Sequence, residues 1–318
     1  MNKQHKISFC ITCKGRLHHL KQTLPKNLRN AADYPNAEFV VLDYDSKDGL
    51  EQWMKEHFQD EISSGRIRYA KIENKPHFHI AHAKNVAHRI ATGEILCNLD
   101  ADNTIAPDFA NWLNEQFLKD RNIYMRIDAP PRRRFRPNRN YVPGKEGRIV
   151  MHRDDFMQLH GYDEKQHEGW SGDDANLDKR ATLAGFKRIQ IPLEMHGEVI
   201  KHSDAERVEH FHPDTKKKSA EYLQSMRSIP RRILRHLRPF KTELEETLAP
   251  PPANTDGNYG CGTICINWQD EVTLEPVRTQ DTPDHAPDVG QSLTATSYVN
   301  KITASQQKKD SGIRQPGQ

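Results

Sequence analysis

No apolar run in this 318-residue sequence approaches the ~20 residues that a membrane-spanning helix needs. A chain that crosses the bilayer on a helix is therefore not expected. Cysteine is scarce: five residues, an odd count that fits reduced thiols better than a disulfide framework. Cys10 and Cys13 form C-x-x-C, formally a redox or zinc pattern. No second C-x-x-C follows, and Cys10 lies inside the apolar stretch ISFCIT, so core packing is the expected role. A dominant charge is also missing. The net charge is +3, which gives no overall electrostatic case for nucleic-acid binding. The N-terminal MNKQHKISFC lacks the charged-then-apolar layout of a signal peptide, and a cytoplasmic location is expected. With 35% hydrophobic and 29% charged residues and a mean hydropathy of −0.89, part of the chain is not expected to pack.

What the sequence does contain is alternation. From residue 6 to about 125, strand-like segments (KISFCIT, AEFVVLDY, IRYAKI, EILCNLD) take turns with helix-like ones (RLHHLKQTLPKNL, GLEQWMKEHF, IAHAKNVAHRIAT, PDFANWLNEQFLK). The last of these opens on Pro107-Asp108, a helix-start signal. This order predicts an α/β fold with a mostly parallel sheet covered by helices on both faces. Ligands of such sheets bind beyond the carboxyl ends of the strands, where Asp43, Asp45, Asp100 and Asp102 fall. PPRRRFRPNRNYVPGKEGRI (130–149) reads as a loop. RDDFMQLHGY reads as a helix and RIQIP as a strand. From residue 241 the sequence loses sustained periodicity, and a largely disordered tail is expected over 241–318, with one short strand at GTICINW.

In ILCNLDADN an apolar strand ends in two acids one residue apart. Residues i and i+2 of a strand point the same way, so both carboxylates can reach one hard cation such as Mn²⁺ or Mg²⁺. A strand end meeting solvent produces the same pattern. Asp173 and Asp174 follow a glycine-rich turn. They suit a general base beside an acceptor-binding acid, and equally the first turn of a helix, whose dipole favours acids. TKKKSAEYLQSMRSIPRRILRHLRPF spaces Leu223, Met226, Ile233, Leu234 and Leu237 roughly as a helix does, amid Lys and Arg. That layout fits peripheral binding to the inner face of an anionic membrane through residues 215–240. Docking on the rest of the protein explains the apolar face equally well.

Taken together and in order, these segments resemble the GT-A nucleotide-sugar glycosyltransferases, broadly family 2. That pattern has a first strand and loop, a strand ending in acids, an Ala-Arg-Asn helix, an Ala-x-Gly-Glu turn and a D-x-D strand. Here Lys84 replaces the usual Arg, and Tyr44 stands where a second adjacent acid is usual. GYDEKQHEGWSGDDANLDKR resembles the Gly-Trp-Gly-Gly-Glu-Asp segment of β-1,4-galactosyltransferases. Gly169, Trp170 and Gly172 match it, Ser171 stands at the first Gly after Trp, and Asp173 and Asp174 stand at the Glu and Asp. ITCKGRLHHL is similar to the same group's Phe-Arg-Asn-Arg loop, with Arg16 at the final Arg. FHIAHAKNV retains Phe78, Ala81, Asn85 and Val86 of another of its stretches, and VIKHSD places His202 where the group has a metal-binding His.

The resemblance implies a GT-A catalytic domain over 1–240, divided into a nucleotide-sugar half (1–125), an acceptor and catalytic half (126–212) and the basic segment (213–240). It implies Mn²⁺ (or Mg²⁺) on Asp102 and His202, with Asp100 on the metal's water shell or the ribose. His196, His210 and His212 are substitutes for His202, and EHFHPD is a rival metal pair. A UDP-sugar donor would meet Thr12, Lys14, Arg16, Asp43 or Asp45, Asn85, Asp100 and Trp170. A glycan or lipid-linked acceptor would meet Trp170, Gly172 and Asp173, with Asp174 as general base. The expected activity is inverting transfer of a hexose or N-acetylhexosamine. A retaining transferase on the same fold, and a sugar-nucleotide or glycan-binding protein without turnover, are the alternatives. No nucleic-acid partner is expected.

Overall fold

The computed structural model describes residues 3–127, 144–165, 169, 172–227 and 252–278. Most of the arginine-rich loop, Trp170, Ser171, residues 228–251 and residues 279–318 lie outside them. Four strands form the centre: β1 (Ile7–Cys13), β2 (Ala37–Tyr44), β3 (Ile67–Ile72) and β4 (Ile95–Asn98). They pair in parallel in the order β4-β1-β2-β3. Every residue of β2 and β4 is buried, as expected of parallel strands covered on both faces.

Alternation along these strands divides the core into two layers. Phe9, Ile11, Phe39 and Val41 point to one face. There α1 (Leu17–Asn30), α2 (Leu50–His57) and α5 (Phe109–Lys119) supply Leu20, Leu24, Met54, Phe109 and Leu113. A short α3 (Gln59–Ser63) leads into β3. Cys10, Val40 and Leu42 point to the other face, where α4 (Ile80–Ile90), α6 (Arg153–Gln158) and α7 (Asp173–Leu183) supply Ala83, Val86, Ala87, Phe156, Leu177 and Ala181. Cys10 and Cys13 are free thiols with no exposed surface, the core role expected of them.

The sheet continues past β4 through β6 (Ile149–His152) and β5 (Ile123–Arg126), both antiparallel to their inner neighbours, to β7 (Lys187–Gln190). A bridge between Asn103 and Val199 and the bonds Ile200 N–H to Asp102 O (2.9 Å) and Thr104 N–H to Glu198 O (2.9 Å) tie the following segment to the end of β4. α8 (Asp204–Arg207) and α9 (Pro213–Arg227) come next. Leu223 of α9 packs with Val208, Phe211 and Phe78, so at this residue the apolar face docks on the protein. The remainder of the membrane-binding candidate, 228–240, lies outside the described residues. Among the described residues no helix is long and apolar enough to cross a membrane.

The boundary expected at residue 240 needs correction. β8 (Gly262–Ile266) adds antiparallel to β3, and β9 (Asp270–Leu274) adds to β8, which makes nine strands among the described residues. The residues before β8 are interlocked with the domain. Asn254 Nδ2 donates to His160 O and Tyr162 O (both 2.7 Å), and Gly260 N–H donates to Glu164 Oε1 (2.6 Å). Arg89 on α4 donates to Tyr259 O (2.7 Å) and Glu275 O (2.6 Å). The short strand expected at GTICINW is β8; the polar composition of the rest conceals β9 and the docked loop, because backbone pairing to an otherwise open edge needs no long apolar run.

Candidate active site

The strand geometry expected for Asp100 and Asp102 ends too early. β4 stops at Asn98, and a turn closed by Asn103 N–H to Asp100 O (2.9 Å) follows. The two carboxylates are therefore sent to different neighbours. Asp102 Oδ2 lies 3.0 Å from His202 Nε2, because the pairing of residues 198–200 with 102–104 carries His202 to it. Their side chains are 14% and 10% exposed, enough to face a cleft. The Asp102 contact, foremost, holds the His202 imidazolium above its ordinary pKa.

Asp100 turns the other way. Its oxygens accept from Asn98 Nδ2 and Asn103 Nδ2 (both 3.3 Å). Gly147 lies against both Asp100 and Asp174: a Cβ there would stand 3.0 Å from Asp100 Oδ2 and 3.2 Å from Asp174 Oδ2. Any larger residue at 147 would push these two acids aside. Asp173 and Asp174 form the first turn of α7 after Gly172, which has φ of 94°. Lys84, from the middle of α4, donates to Asp173 Oδ2 at 2.6 Å and to Asp174 Oδ1 at 2.8 Å. Its ammonium also lies 4.9 Å from the centre of the Tyr162 ring, an attractive contact for a desolvated cation. Among the described residues, the buried Tyr162 hydroxyl has no hydrogen-bond partner.

Three carboxylates thus share one lysine. Burial alone would push Lys84 down, but Asp173 and Asp174 raise it well above its ordinary pKa. Burial raises Asp100, with Lys84 opposing. Asp174 is pushed up to about 7, by burial first and by the Asp173 charge second, despite Lys84. The two acids of α7 differ in access: the Asp173 side chain is 3% exposed and that of Asp174 20%. Asp173 anchors Lys84 from this buried position.

Several expected donor contacts are committed elsewhere. Asn85 has no exposed surface. Its Nδ2 donates to Tyr162 O and Glu164 Oε1, and its Oδ1 accepts from Tyr162 N–H, all at 2.8 Å. It joins α4 to the turn at 161–164. Asp43 is equally buried, with one oxygen taken by Ser46 N–H (2.7 Å) and the other by the Tyr69 hydroxyl (2.8 Å). Lys14 caps three carbonyls, those of Tyr44, Asp45 (both 3.1 Å) and Lys75 (2.6 Å). All three are thus tied to neighbouring segments of the protein. Asp45 has φ of 57° and pairs with Lys47 at 2.6 Å. Thr12, partly exposed, lies near the carboxyl end of β1 on the face shared with α4. Arg16 binds Glu206 of α8 through both the carboxylate and the backbone carbonyl. Trp170 lies outside the described residues.

Of the substitutes for His202, His196 is buried with its Nε2 3.0 Å from Ile191 O. His210 packs against Gly15 and His212 against the His77 ring. The EHFHPD pair is thus split between different neighbours.

Lys84 and the clustered His18, His19 and Glu206 were not expected as site residues. Lys84 did leave a signal: it occupies the helical stripe Ala81, Lys84, Ala87, His88, all buried. A lysine there requires buried acids.

A parallel sheet with acids beyond its strand ends, backed by a helix that begins with two more acids, is the construction of a GT-A transferase. The family model of glycosyl transferase family 2 matches residues 8–168, half of the sequence. The chain belongs to that family, and the protein is a glycosyltransferase. No curated protein matches it. Among solved structures it is similar to a mannosyltransferase from Pyrobaculum calidifontis in complex with GDP-Man and Mn²⁺. The identity is 18% and the TM-score 0.50, over 77% of this chain and 84% of that one. TarS 1–349 from S. aureus in complex with UDP matches at 15% identity and TM-score 0.49, over 77% and 78%. GalNAc-T7 with UDP, GalNAc and Mn²⁺ matches at 18% and 0.48, over 61% and 43%. At these identities the likeness is one of fold.

Proposed function

We propose that the enzyme is a metal-dependent, inverting glycosyltransferase that moves a hexose or N-acetylhexosamine from a UDP-sugar to a glycan or glycolipid acceptor. The observation that carries this reading is the split of the acids into two stations. One pairs Asp102 with His202; the other gathers Asp100, Asp173 and Asp174 around Lys84. Diphosphate departure and acceptor deprotonation call for two such stations, one on each face of the anomeric carbon.

The first station fits a divalent cation. Its oxygen and nitrogen donors lie 3.0 Å apart, about the edge of an octahedron with ~2.1 Å bonds. Asp102 and His202 would hold Mn²⁺ or Mg²⁺, which when bound neutralises the charge of the departing nucleoside diphosphate. Thr12 and Asp45 would meet the nucleoside. At the second station, Lys84 fixes Asp174 through Oδ1 and leaves Oδ2 toward Gly147. That oxygen would accept the proton of the acceptor hydroxyl as the hydroxyl attacks the anomeric carbon. Asp173 keeps Lys84 in place. Inversion follows from a single attack opposite the leaving group, with no protein nucleophile required.

The test is to incubate the purified chain with a panel of UDP-sugars and Mn²⁺, with and without saccharide acceptors. NMR of the product gives its anomeric configuration. Release of UDP that stops with EDTA, and with Asp102→Ala or His202→Ala, is expected. Activity unaffected by EDTA would defeat the metal assignment, and a retained anomer would defeat inversion.

A further inference from the structure

His18 and His19 open α1 side by side, and Glu206 reaches them from α8, 188 residues further along. Their ligand atoms lie within 4.8 Å of one another. Glu206 Oε1 is 2.9 Å from His18 Nε2 and 3.3 Å from His19 Nε2. A tetrahedral ion with bonds of ~2.0–2.1 Å has ligands spaced by about 3.3 Å, close to both separations. We propose that His18, His19 and Glu206 form a second cation site, selective for a borderline ion such as Zn²⁺.

The chemistry of the donors sets the selectivity. Two imidazoles with one carboxylate suit Zn²⁺, whereas carboxylate, phosphate and water suit Mn²⁺ and Mg²⁺. The surroundings hold the ligands in place. Ser203 Oγ accepts from Glu206 N–H (3.1 Å), which fixes the turn that carries the carboxylate. His19 is buried, its ring centre 5.4 Å from that of His202, whereas the His18 side chain is 58% exposed and gives an ion an entry path. Asp48 Oδ2 accepts the Leu17 N–H (2.8 Å) and offsets the positive end of α1. Arg16 competes for the Glu206 carboxylate but also holds the Glu206 backbone carbonyl. The oxygen it shares is the one that faces both imidazoles, so an ion there would take Arg16's place on Oε1 while Arg16 keeps the carbonyl. None of the three ligands is shared with Asp102 and His202.

The test is Zn²⁺ titration calorimetry on the full chain, stripped with EDTA and free of nucleotide, with melting temperature as the folding control. Losing a residue that merely orients a ligand costs about 10–100-fold in affinity, so losing a ligand should cost at least about tenfold. One Zn²⁺ per chain is expected, weakened to that extent in His18→Gln and in Glu206→Gln and retained in Asp102→Asn. His18 is exposed, so its variant should fold. Failure of the wild-type chain to bind Zn²⁺, or wild-type affinity in either His18→Gln or Glu206→Gln, overturns the site. Equal weakening by Asp102→Asn also overturns it, by placing the ion on Asp102 and His202.

Discussion

Lys84 Nζ and Asp173 Oδ2 meet at 2.6 Å, both side chains 3% exposed, across 89 residues of sequence. This ion pair joins the middle of α4 to the first turn of α7 and sets the position of Asp174. A buried pair adds little net stability over an apolar one, but removing one partner strands the other charge. Its value here is placement of Asp174, whose remaining oxygen faces Gly147.

Lys84→Met should therefore destabilise the fold by about 3–5 kcal/mol, since Asp173 is left buried without the ammonium it pairs with. Denaturant unfolding measures this. Lys84→Arg keeps the charge and should cost clearly less. Equal losses in the two variants would mean that packing, and not charge, is what position 84 contributes.

Acid should unfold the protein through its histidines. Burial lowers His88 to about 3, and lowers His19, His82 and His152 to about 4. These folded values lie below the ordinary 6.5, so the unfolded chain binds more protons as pH falls through 6.5. Stability is full above that pH and is lost progressively toward pH 4. His88, stacked on Phe156 with ring centres 4.7 Å apart, should contribute on the order of a few kcal/mol to the loss. Melting temperature against pH reads the slope, and His88→Phe should flatten it. An unchanged slope in that variant would place the acid sensitivity in other groups.

Truncation should separate two parts of the C-terminal region. A chain ending at residue 278 keeps β8 on β3 and the Asn254 and Glu164 bonds, and should melt as the full chain does. A chain ending at 251 opens the edge of β3 and strips Arg89 of its carbonyl partners. It should lose several degrees of melting temperature and aggregate through that edge. Equal stability of the two would restore the boundary near 240.

The central sheet was legible because its strands are apolar on both faces and its helices carry regular stripes. Acids at strand ends could be read as a ligand site for the same reason. Which acid goes where could not be read. That depends on β4 stopping at Asn98, on the bridge from Asn103 to Val199, and on a turn at 161–164 that consumes Asn85. The bonds of Asp43 to Ser46 and Tyr69, and of Lys14 to three carbonyls, could not be read either, because their partners lie on other segments. His18 and His19 read as one turn of an amphipathic helix until Glu206, far away in sequence, is set beside them.

The proton affinity of Asp174 makes the base assignment testable through pH. Its folded value, raised to about 7, means that the carboxylate is ionised only as pH passes neutrality. kcat/KM should rise with pH through about 7 and level off above it. Asp174→Asn removes the basic oxygen while keeping size, and should cost ~10²–10⁴ in rate and abolish the rising limb. Stability should move differently. A carboxyl raised in the folded state opposes folding once it is ionised, so at pH 8 the variant should show no loss of melting temperature. Donor affinity should also hold, since Asp102 and His202 lie at the other station. A folded variant with near wild-type turnover would move the base away from Asp174. Loss of UDP affinity together with rate would make Asp174 an organiser of the cleft rather than the base.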